Sequence, residues 1–504
     1  MEALSLVLDG FSVSLQPINL WYTFIGVLMG TVIGVLPGIG PAAGIALLIP
    51  VSYGMNPTSA LIMMAGVYYG AQYGGSVTSI LINTPGESSS VMTAIDGYQM
   101  AKKGRAGAAL AVSAWGSFIG GTIGIIALTL MAVPLTKIAL GFGPPEYFML
   151  MALALTAVSA LTGNSPAKGM LAMMIGLMIA TIGTDLQSGQ MRFVMGIPEL
   201  QDGIGFVVVV VGLFAVGEVF IAIEEHFHSR SEIFRLQGKL MLTKEEWRRS
   251  LGPIGRGTII GFLIGILPGA GATIATIMSY SAEKNMSKHP EQFGQGAIEG
   301  VAGPETANNA ATAGAMVPLL TLGVPGSGST AVLLGAFVMY GIQPGPLLFQ
   351  SRPDLVWGLV NSMYVGNVML LILNLPLIGL FVRLLYIPTG ILLPLVLVLA
   401  SVGIYAVNGN IVELYLCLLF GVLGYAFRKI DIPLAPLVLA LVLGGMMEQS
   451  FRQAMTISGG NPKIFVSSGL TIGLAVISVL VLAVKFSKVI SRRKNSGEVK
   501  SATI

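Results

Sequence analysis

The chain has 504 residues, of which 54% are hydrophobic and only 10% are charged, and its formal net charge is +4. Its mean hydropathy is +0.82, whereas about a quarter of the residues in a soluble domain are charged. The composition therefore excludes an ordinary soluble enzyme and indicates a polytopic membrane protein. The basic residues lie in short segments between apolar ones, where membrane orientation accounts for them, so we expect no nucleic-acid partner. The single cysteine, Cys417, excludes an intramolecular disulfide.

Apolar segments of about 17 to 25 residues, long enough to cross a bilayer, recur along nearly the whole chain. We expect spans near 20–37, 58–82, 107–133, 146–161, 167–184, 204–223, 253–270, 305–322, 357–382, 390–407, 411–426, 432–448 and 466–484. Shorter segments, expected to be partial helices, lie at 41–55, 272–282 and 328–341. The predicted fold class is an all-α polytopic membrane protein with about 12–15 transmembrane or partial helices.

Two distant segments carry the same ladder of glycines at every fourth position. Gly26, Gly30 and Gly34 form the first ladder, and the second lies 231 positions later. Small residues at this spacing let another helix backbone approach closely, so we expect packing ladders. Each ladder ends in Leu-Pro-Gly-x-Gly, which predicts a broken helix at membrane depth, with a helix-ending turn at the surface as the alternative. The members of the second copy, with its break, are Gly257, Gly261, Gly265, Pro268, Gly269 and Gly271.

A second pair of matching segments follows the ladders in the same order. Residues 83–90 (NTPGESSS) match residues 323–330 (GVPGSGST), with Pro and Gly displaced by 240 positions. In an apolar chain, Gly/Pro-interrupted segments at corresponding places in two halves indicate the substrate site of a transporter.

The distribution of Lys and Arg predicts the topology. The basic segment 224–252 and the basic tail are expected in the cytoplasm, and counting crossings from each places the two copies in opposite orientations. We therefore expect two inverted-topology repeats with paired broken-helix and hairpin elements, a known transporter design. The predicted organisation is a first repeat over 1–223 with a periplasmic N-terminus, a cytoplasmic loop at 224–252, a second repeat over 253–448, and an extra C-terminal helix with a cytoplasmic tail over 449–504.

The two Pro-Gly segments end in hydroxyl clusters that should open short helices. Helix starts offer free N–H groups and the positive end of a dipole, and hydroxyls add donors, so two such starts can hold a carboxylate without Lys or Arg. The alternative is that the hydroxyls only cap interfacial turns. The candidate substrate-binding residues are Asn83, Thr84, Pro85, Gly86, Ser88, Ser89, Ser90, Gly323, Pro325, Gly326, Ser327, Ser329 and Thr330.

Neutral oxygen ligands near the same elements suit a hard cation such as Na⁺. The candidate coupling-ion residues are Gly38, Gly40, Gly269, Gly271, Thr78, Asn308 and Asn309. A proton carried by an acid is the alternative, because intramembrane carboxyl groups such as Glu87 and Glu305 are costly and usually functional. No other cofactor is expected.

Three further acidic residues are interpreted from their neighbours in the sequence. For Asp96, which is close to Lys102 in the sequence, an interfacial salt bridge and a coupling role stay open. Glu283 and Glu299 border a polar run and are expected to be solvated.

Longer motifs resemble one transporter family. They are 69–76 (YGAQYGGS) running into 83–87 (NTPGE), then 96–98 (DGY), and 304–310 (PETANNA) running into 323–327 (GVPGS). These segments are similar to the TctA family, the large membrane subunit of tripartite tricarboxylate transporters. The resemblance implies a bacterial inner-membrane permease that works with a small four-helix membrane subunit and a periplasmic solute-binding protein. It also implies ion-driven uptake of citrate or another small carboxylate without ATP hydrolysis.

The sequence thus predicts a multi-pass permease subunit with a cytoplasmic C-terminus, surrounded by membrane lipid and importing a carboxylate with Na⁺ or H⁺. A stand-alone transporter that needs no binding protein is the second reading. An intramembrane enzyme is the least favoured, because the only histidines, His226, His228 and His289, lie in polar loops.

Overall fold

The computed structural model describes residues 2–36, 38–161, 165–185, 187–226, 240–384 and 389–483. Within these ranges helices dominate, and the strands Gly183–Thr184 and Met191–Arg192 form one short antiparallel pair. Eight of the described helices are long and apolar enough to cross a membrane. The predicted class, an all-α polytopic membrane protein, is confirmed. Expectations for Pro37, for the basic residues at 227–239 and for the tail from 484 onward lie outside the described residues.

The helices group into two compact units, each built from two separate stretches of the chain. The first combines Met1–Ala139 with Val207–Tyr425, and the second combines Leu140–Phe206 with Ala426–Ile504. The inverted-repeat boundaries stay a prediction. The helices of the first unit are α1 Glu2–Ser14, α2 Pro17–Val35, α3 Gly40–Val51, α4 Pro57–Ile82, α5 Val91–Lys102, α6 Ala106–Ala139, α9 Phe206–Val210, α10 Gly217–His226, α11 Lys244–Ile266, α12 Gly271–Met286, α13 Glu299–Leu322, α14 Gly328–Met339, α15 Leu348–Ser351, α16 Pro353–Asn374, α17 Ile378–Leu384, α18 Thr389–Asn408 and α19 Ile411–Lys429. A π-helical turn, Val211–Val216, joins α9 to α10.

The second unit contains α7 Pro144–Leu161, α8 Pro166–Ala180, α20 Leu434–Ile457 and α21 Gly469–Ala483. The helix α20 packs against α7 and α8. Gly176 of α8 lies directly on the Leu437 carbonyl of α20, so this contact leaves no room for a side chain. At the end of α20, Arg452 pairs with Asp185 at 3.0 Å and with Glu448 at 2.5 Å. This network ties the loop after α8 to the helix.

The glycine ladders pack as predicted. The first lies along α2 and faces α4, and a Cβ built at Gly30 would lie 2.5 Å from the Val67 carbonyl oxygen. The second lies along α11 and faces α13, where a Cβ at Gly261 would lie 2.7 Å from the Ala307 Cα. Backbone therefore touches backbone along both pairs, which only glycine permits.

The breaks that follow the ladders are also present in both copies. The helices α2 and α11 end at the extended residues Leu36 and Leu267. The next two glycines have positive φ in each copy, +86° and +63° in the first and +80° and +57° in the second, and the second glycine of each pair is the first residue of α3 or α12. These backbone conformations explain the choice of glycine, since other residues rarely adopt them.

Two elements differ from the expectations. The helix α1 is not predicted, because its 13 residues are too few to cross a bilayer, but it packs on α16 with Gly10 against Trp357. The expected span 357–382 is divided into α16 and α17, and the turn between them contains Pro376, which cannot continue a helix.

Candidate functional site

Two hairpin tips, residues 83–90 and 323–330, have the same backbone course. The helices α4 and α13 end in left-handed residues, Asn83 with φ 55° and Gly323 with φ 71°. The chain then passes Pro-Gly and starts a new helix, a 3₁₀ turn at 88–90 leading into α5 in the first tip and α14 in the second. The predicted short helices are therefore confirmed at both tips.

Each tip is seated on the end of its own glycine ladder. A Cβ at Gly86 would collide with the Gly34 carbonyl oxygen and lie 2.6 Å from the Gly75 Cα. A Cβ at Gly326 would lie 2.8 Å from both the Gly265 carbonyl oxygen and the Ala315 Cα. Only glycine fits at these two positions, so each tip packs directly against the last glycine of its ladder.

Reciprocal capping boxes hold both helix starts. The Thr330 amide donates to Ser327 Oγ at 3.2 Å, and the Ser327 amide donates to Thr330 Oγ1 at 2.8 Å. Glu87 and Ser90 form the same box in the first tip. Ser90 and Thr330 are fully buried, so their hydroxyls serve as caps. For these two candidates the capping alternative is the one that the geometry supports.

The tips meet through a reciprocal pair of contacts. Tyr68 of α4 places its Oη 3.1 Å from Ser327 Oγ of the second tip. Asn308 of α13 donates from Nδ2 to Glu87 Oε1 of the first tip at 3.1 Å. Tyr68 and Asn308 are separated by 240 positions, and so are Glu87 and Ser327. Each half therefore uses the same helix position to reach the capping residue of the other half.

A cluster of polar groups surrounds Glu87. Ser89 donates to the Glu87 carboxylate. The Gln72 amide is best satisfied with its nitrogen directed toward this carboxylate and toward Asn308 Oδ1, 2.9 Å away. The exposed Ser88 lies beside these groups and shares a 2.8 Å hydrogen bond with Thr273 of α12. We call Tyr68, Gln72, Glu87, Ser88, Ser89, Asn308 and Ser327 the tip cluster.

The structure separates the other substrate-binding candidates from this cluster or leaves them at its edge. Asn83 is exposed, Thr84 donates to the Ile82 carbonyl at 3.3 Å, and Pro325 is buried beside the turn residue Gly323. These residues and the half-buried Pro85 shape the two turns. Ser329 is half-buried in the first turn of α14.

The coupling-ion candidates do not form a single site. Gly40 lies beside Glu87 and Gly271 lies beside Ser327, with 4.0 and 3.4 Å from a built Cβ to the neighbouring Cβ. Asn308 belongs to the tip cluster. Gly269 donates its amide to the Gly326 carbonyl of the second tip at 3.1 Å. The remaining three point elsewhere: Gly38 faces the carboxylate of Glu218, Thr78 donates to the Gly75 carbonyl at 3.1 Å, and Asn309 donates to Ser117 Oγ at 2.7 Å.

Tyr68 and Thr273 are members of this region that sequence reasoning did not select. Tyr68 could have been found, because subtracting 240 from Asn308 leads to it. Thr273 gives no such signal, since its counterpart 231 positions earlier is Ala42.

The expectations for three acidic residues are also corrected by the structure. Asp96 is fully buried and makes no salt bridge with Lys102; its Oδ1 accepts the amides of Gly294, Gly296 and Ala297 at 2.7 to 2.9 Å. The Tyr280 hydroxyl donates to the other oxygen at 2.8 Å.

Glu283 and Glu299 are not simply solvated. Glu283 is 3% exposed and accepts two hydrogen bonds from Arg256, at 2.8 and 2.6 Å. Glu299 accepts from Arg249 at 2.7 and 2.9 Å. The carboxylates of both residues are paired with arginines in the folded chain. The polar segment next to them in the sequence does not indicate these partners.

Comparison with protein-family models gives the class of protein. The model of the tripartite tricarboxylate transporter TctA family matches residues 20–439. The chain belongs to this family and is a tripartite tricarboxylate transporter subunit, so the resemblance seen in the motifs is confirmed.

Two relatives come from Agrobacterium vitis. One, described as "Uncharacterized 52.8 kDa protein in TAR-I ttuC' 3'region", is 48% identical over 487 residues, which cover 96% of this chain and 97% of the relative. The other, described as "Uncharacterized protein in TAR-II ttuC' 3'region", is 47% identical over 224 residues, covering 44% of this chain and 93% of the relative. The first alignment shows that the similarity extends over nearly the full length.

Proposed function

We propose that the chain is the permease subunit of a secondary active importer of small carboxylates in the bacterial inner membrane. The importer depends on a periplasmic solute-binding protein and a small four-helix membrane subunit, and it is coupled to Na⁺, with H⁺ as the alternative. Membership of the family supports the tripartite assembly. The recurrence of ladder, break and hairpin tip at offsets of 231 and 240 supports two repeats of one design, here proposed to be inverted over 1–223 and 253–448.

The observation that carries the proposal is the meeting of the two tips. The contact between Tyr68 and Ser327 and the contact between Asn308 and Glu87 bring groups from both halves together. Hydroxyls, amides and two helix starts are the groups that bind a carboxylate where no cationic side chain is available. Ser88 is exposed, and Ser327 and Ser329 are half-buried, so part of this surface is accessible.

Glu87 provides a physical reason for cation coupling. An ionised carboxylate at this position repels an anionic substrate, and two like charges about 4 Å apart cost about 4 kcal/mol at an effective dielectric constant of 20. A cation near Glu87, or a proton on it, removes the repulsion. The substrate and the cation therefore favour each other's binding, which is the requirement for symport.

Reconstituted uptake tests the assembly and the coupling. Vesicles containing this chain and its small subunit should accumulate the carboxylate only with the binding protein present and an inward Na⁺ gradient. Full uptake by this chain alone would establish the stand-alone reading, and uptake that follows the pH gradient without Na⁺ would establish the proton reading. Chemical conversion of the carboxylate, rather than its accumulation, would support the enzyme reading.

Hydroxyl variants test the location of the substrate site. Ser88→Ala and Ser329→Ala should weaken substrate binding by about 10- to 150-fold, the effect of losing a hydrogen bond to a charged group. Ser90→Ala and Thr330→Ala should instead lower stability by about 1 kcal/mol, because they remove caps. Normal substrate affinity in the first two variants, together with lost affinity in folded Gly30→Val, would place the site on the ladder instead.

A further inference from the structure

A second polar cluster, distinct from the tip cluster, surrounds Glu305. This residue lies on α13 and is 0% exposed. Its carboxylate accepts hydrogen bonds from Ser76 of α4 and Thr93 of α5, and Ser113 Oγ of α6 lies 3.3 Å from it. Four helices thus direct oxygen atoms at one buried point.

Among the described residues, no Lys, Arg or His nitrogen lies within 4 Å of Glu305, so nothing in this part of the chain compensates the charge of the carboxylate. A buried ion is costly unless it is paired with an opposite charge. Three hydroxyl donors stabilise a carboxylate but leave its charge in place, so a cation from outside the chain would complete the cluster.

A second, independent observation comes from Asn309, which follows one helical turn later. Its Nδ2 donates to Ser117 Oγ at 2.7 Å and to the Glu305 carbonyl at 3.3 Å. Its Oδ1 is buried and has no hydrogen-bond partner. A buried amide oxygen without a partner is costly, and it is a good ligand for a hard cation.

We propose that Glu305, Asn309, Ser76, Thr93 and Ser113 form a Na⁺-binding site. The donor set consists of one carboxylate, one amide oxygen and hydroxyls, which suits a monovalent hard cation with a single compensating charge. On Na⁺ binding, the hydroxyls rotate so that their lone pairs face the ion. This inference deepens the proposed function and rests on it, because it assigns a place to the coupling ion.

Thr93 connects this site to the tip cluster. It lies three residues after Ser90, in the helix that begins at the first tip. An ion that joins Thr93 to Glu305 holds the first tip against α13, where Asn308, the residue before Asn309, contacts Glu87. Sodium thereby orders the tip and adds positive charge near the acid that repels the substrate.

Thermal unfolding of the full chain in detergent tests the site without substrate. NaCl is titrated against choline chloride at constant ionic strength, with KCl as a second control. We expect Na⁺ to raise Tm in a saturable way, as a ligand of the folded state does. Glu305→Gln should abolish the shift, and Thr93→Val should raise the half-saturating Na⁺ concentration at least about tenfold. Thr321→Val is the matched control, because Thr321 is equally buried on α13 and, within the described residues, its hydroxyl bonds only the Val317 carbonyl.

The possible results separate this inference from the proposed function. A Na⁺ shift that persists in Glu305→Gln, or a shift that follows pH alone, would overturn the site. Should Glu305→Gln fail to fold, Thr93→Val and Ser113→Ala decide the question. A Na⁺ shift that depends on Glu305, in a protein whose reconstituted assembly takes up no carboxylate, would retain the ion site and contradict the proposed function. Na⁺-driven uptake that is unchanged in Thr93→Val and Ser113→Ala would retain the proposed function and contradict the ion site.

Discussion

Tyr68 Oη and Ser327 Oγ lie 3.1 Å apart although the two residues are 259 positions apart in the chain. The contact joins the helix before the first hairpin tip to the cap of the second. Its counterpart, from Asn308 to Glu87, joins the helix before the second tip to the cap of the first. Each tip is therefore held partly by the other half of the molecule.

Removing the Tyr68 hydroxyl tests this relationship. Tyr68→Phe should weaken carboxylate binding by roughly 2- to 13-fold, the effect of one net hydrogen bond of 0.5–1.5 kcal/mol. The measurement is a calorimetric titration with substrate. Tyr69→Phe is the matched control, since Tyr69 is equally buried and its hydroxyl has no partner within the described part of the chain. Equal affinities in the two variants would show that the cross-contact has no role in binding.

Replacing Glu87 by Gln tests the electrostatic origin of coupling. Because the variant cannot repel the substrate, its affinity without Na⁺ should rise at least about tenfold and depend less on the cation. Substrate titrations with and without Na⁺ measure both effects. Glu299→Gln is the control, as Glu299 is paired with Arg249. A Glu87→Gln protein that is folded but binds no substrate would mean that the carboxylate is required for recognition.

Local repetition allowed much of the fold to be predicted from the sequence. Glycines at every fourth position, such as Gly257 and Gly261, identify a helix face in contact with another backbone, and the structure has that contact. Pro-Gly followed by hydroxyls likewise identifies the start of a helix. These features depend on residues close together in the chain, where spacing alone determines the outcome.

Contacts between distant segments could not be predicted in this way. Asp96 is bound by amides from 294–297, and nothing near it in the sequence indicates this partner. The oxygen chemistry of Asn308 and Asn309 predicts one shared cation site, but neighbouring positions on a helix face directions about 100° apart. One contacts Glu87 and the other contacts Ser117. The site therefore depends on which helices pack together, which a single sequence does not specify.

Adding a side chain to the second ladder should prevent helix packing. Gly261→Val places a branched side chain against the Ala307 backbone. It should therefore lower the free energy of unfolding by about 1–3 kcal/mol or more. The yield of folded protein and its Tm in detergent report the effect. Gly255→Ala, on the same helix with nothing within 4 Å of the added Cβ, should be neutral or stabilising by about 0.5–1 kcal/mol. A well-folded Gly261→Val protein would show that the ladder can separate.

Asp96 should be important for stability. Asp96→Ala leaves the amides of Gly294, Gly296 and Ala297 without their acceptor, and even one such buried amide costs about 1–3 kcal/mol. Tm should fall strongly, and hydrogen exchange at these three amides should accelerate. Asp96→Asn keeps an amide oxygen in place, so its loss should be smaller. Equal Tm values for both variants and the parent would mean that the loop is held by other contacts.

The loop after α8 should lose stability in acid. The Gln187 amide, the Arg452 guanidinium and the Ser188 hydroxyl bond Asp185 and hold the pKa of this carboxyl well below its ordinary value of 3.8. A lowered pKa in the folded state means that the stabilisation is complete above pH 3.8 and is lost as the pH falls further. Hydrogen exchange of residues 183–192 between about pH 5 and pH 2.5 should therefore accelerate beyond its intrinsic pH dependence. Arg452→Gln should reduce this extra acceleration, and an unchanged profile in that variant would exclude the arginine as its source.

The direct backbone packing along the ladders has a mechanical consequence. Where α2 rests on α4 without side chains between them, neither helix can slide along the other without carbonyl groups colliding with Cα atoms, and the same holds for α11 on α13. Each pair of helices is thus expected to move as one rigid body. The glycines that follow each ladder, Gly38 and Gly40 in one copy and Gly269 and Gly271 in the other, have positive φ, so the chain changes direction at these residues and not within the packed helices.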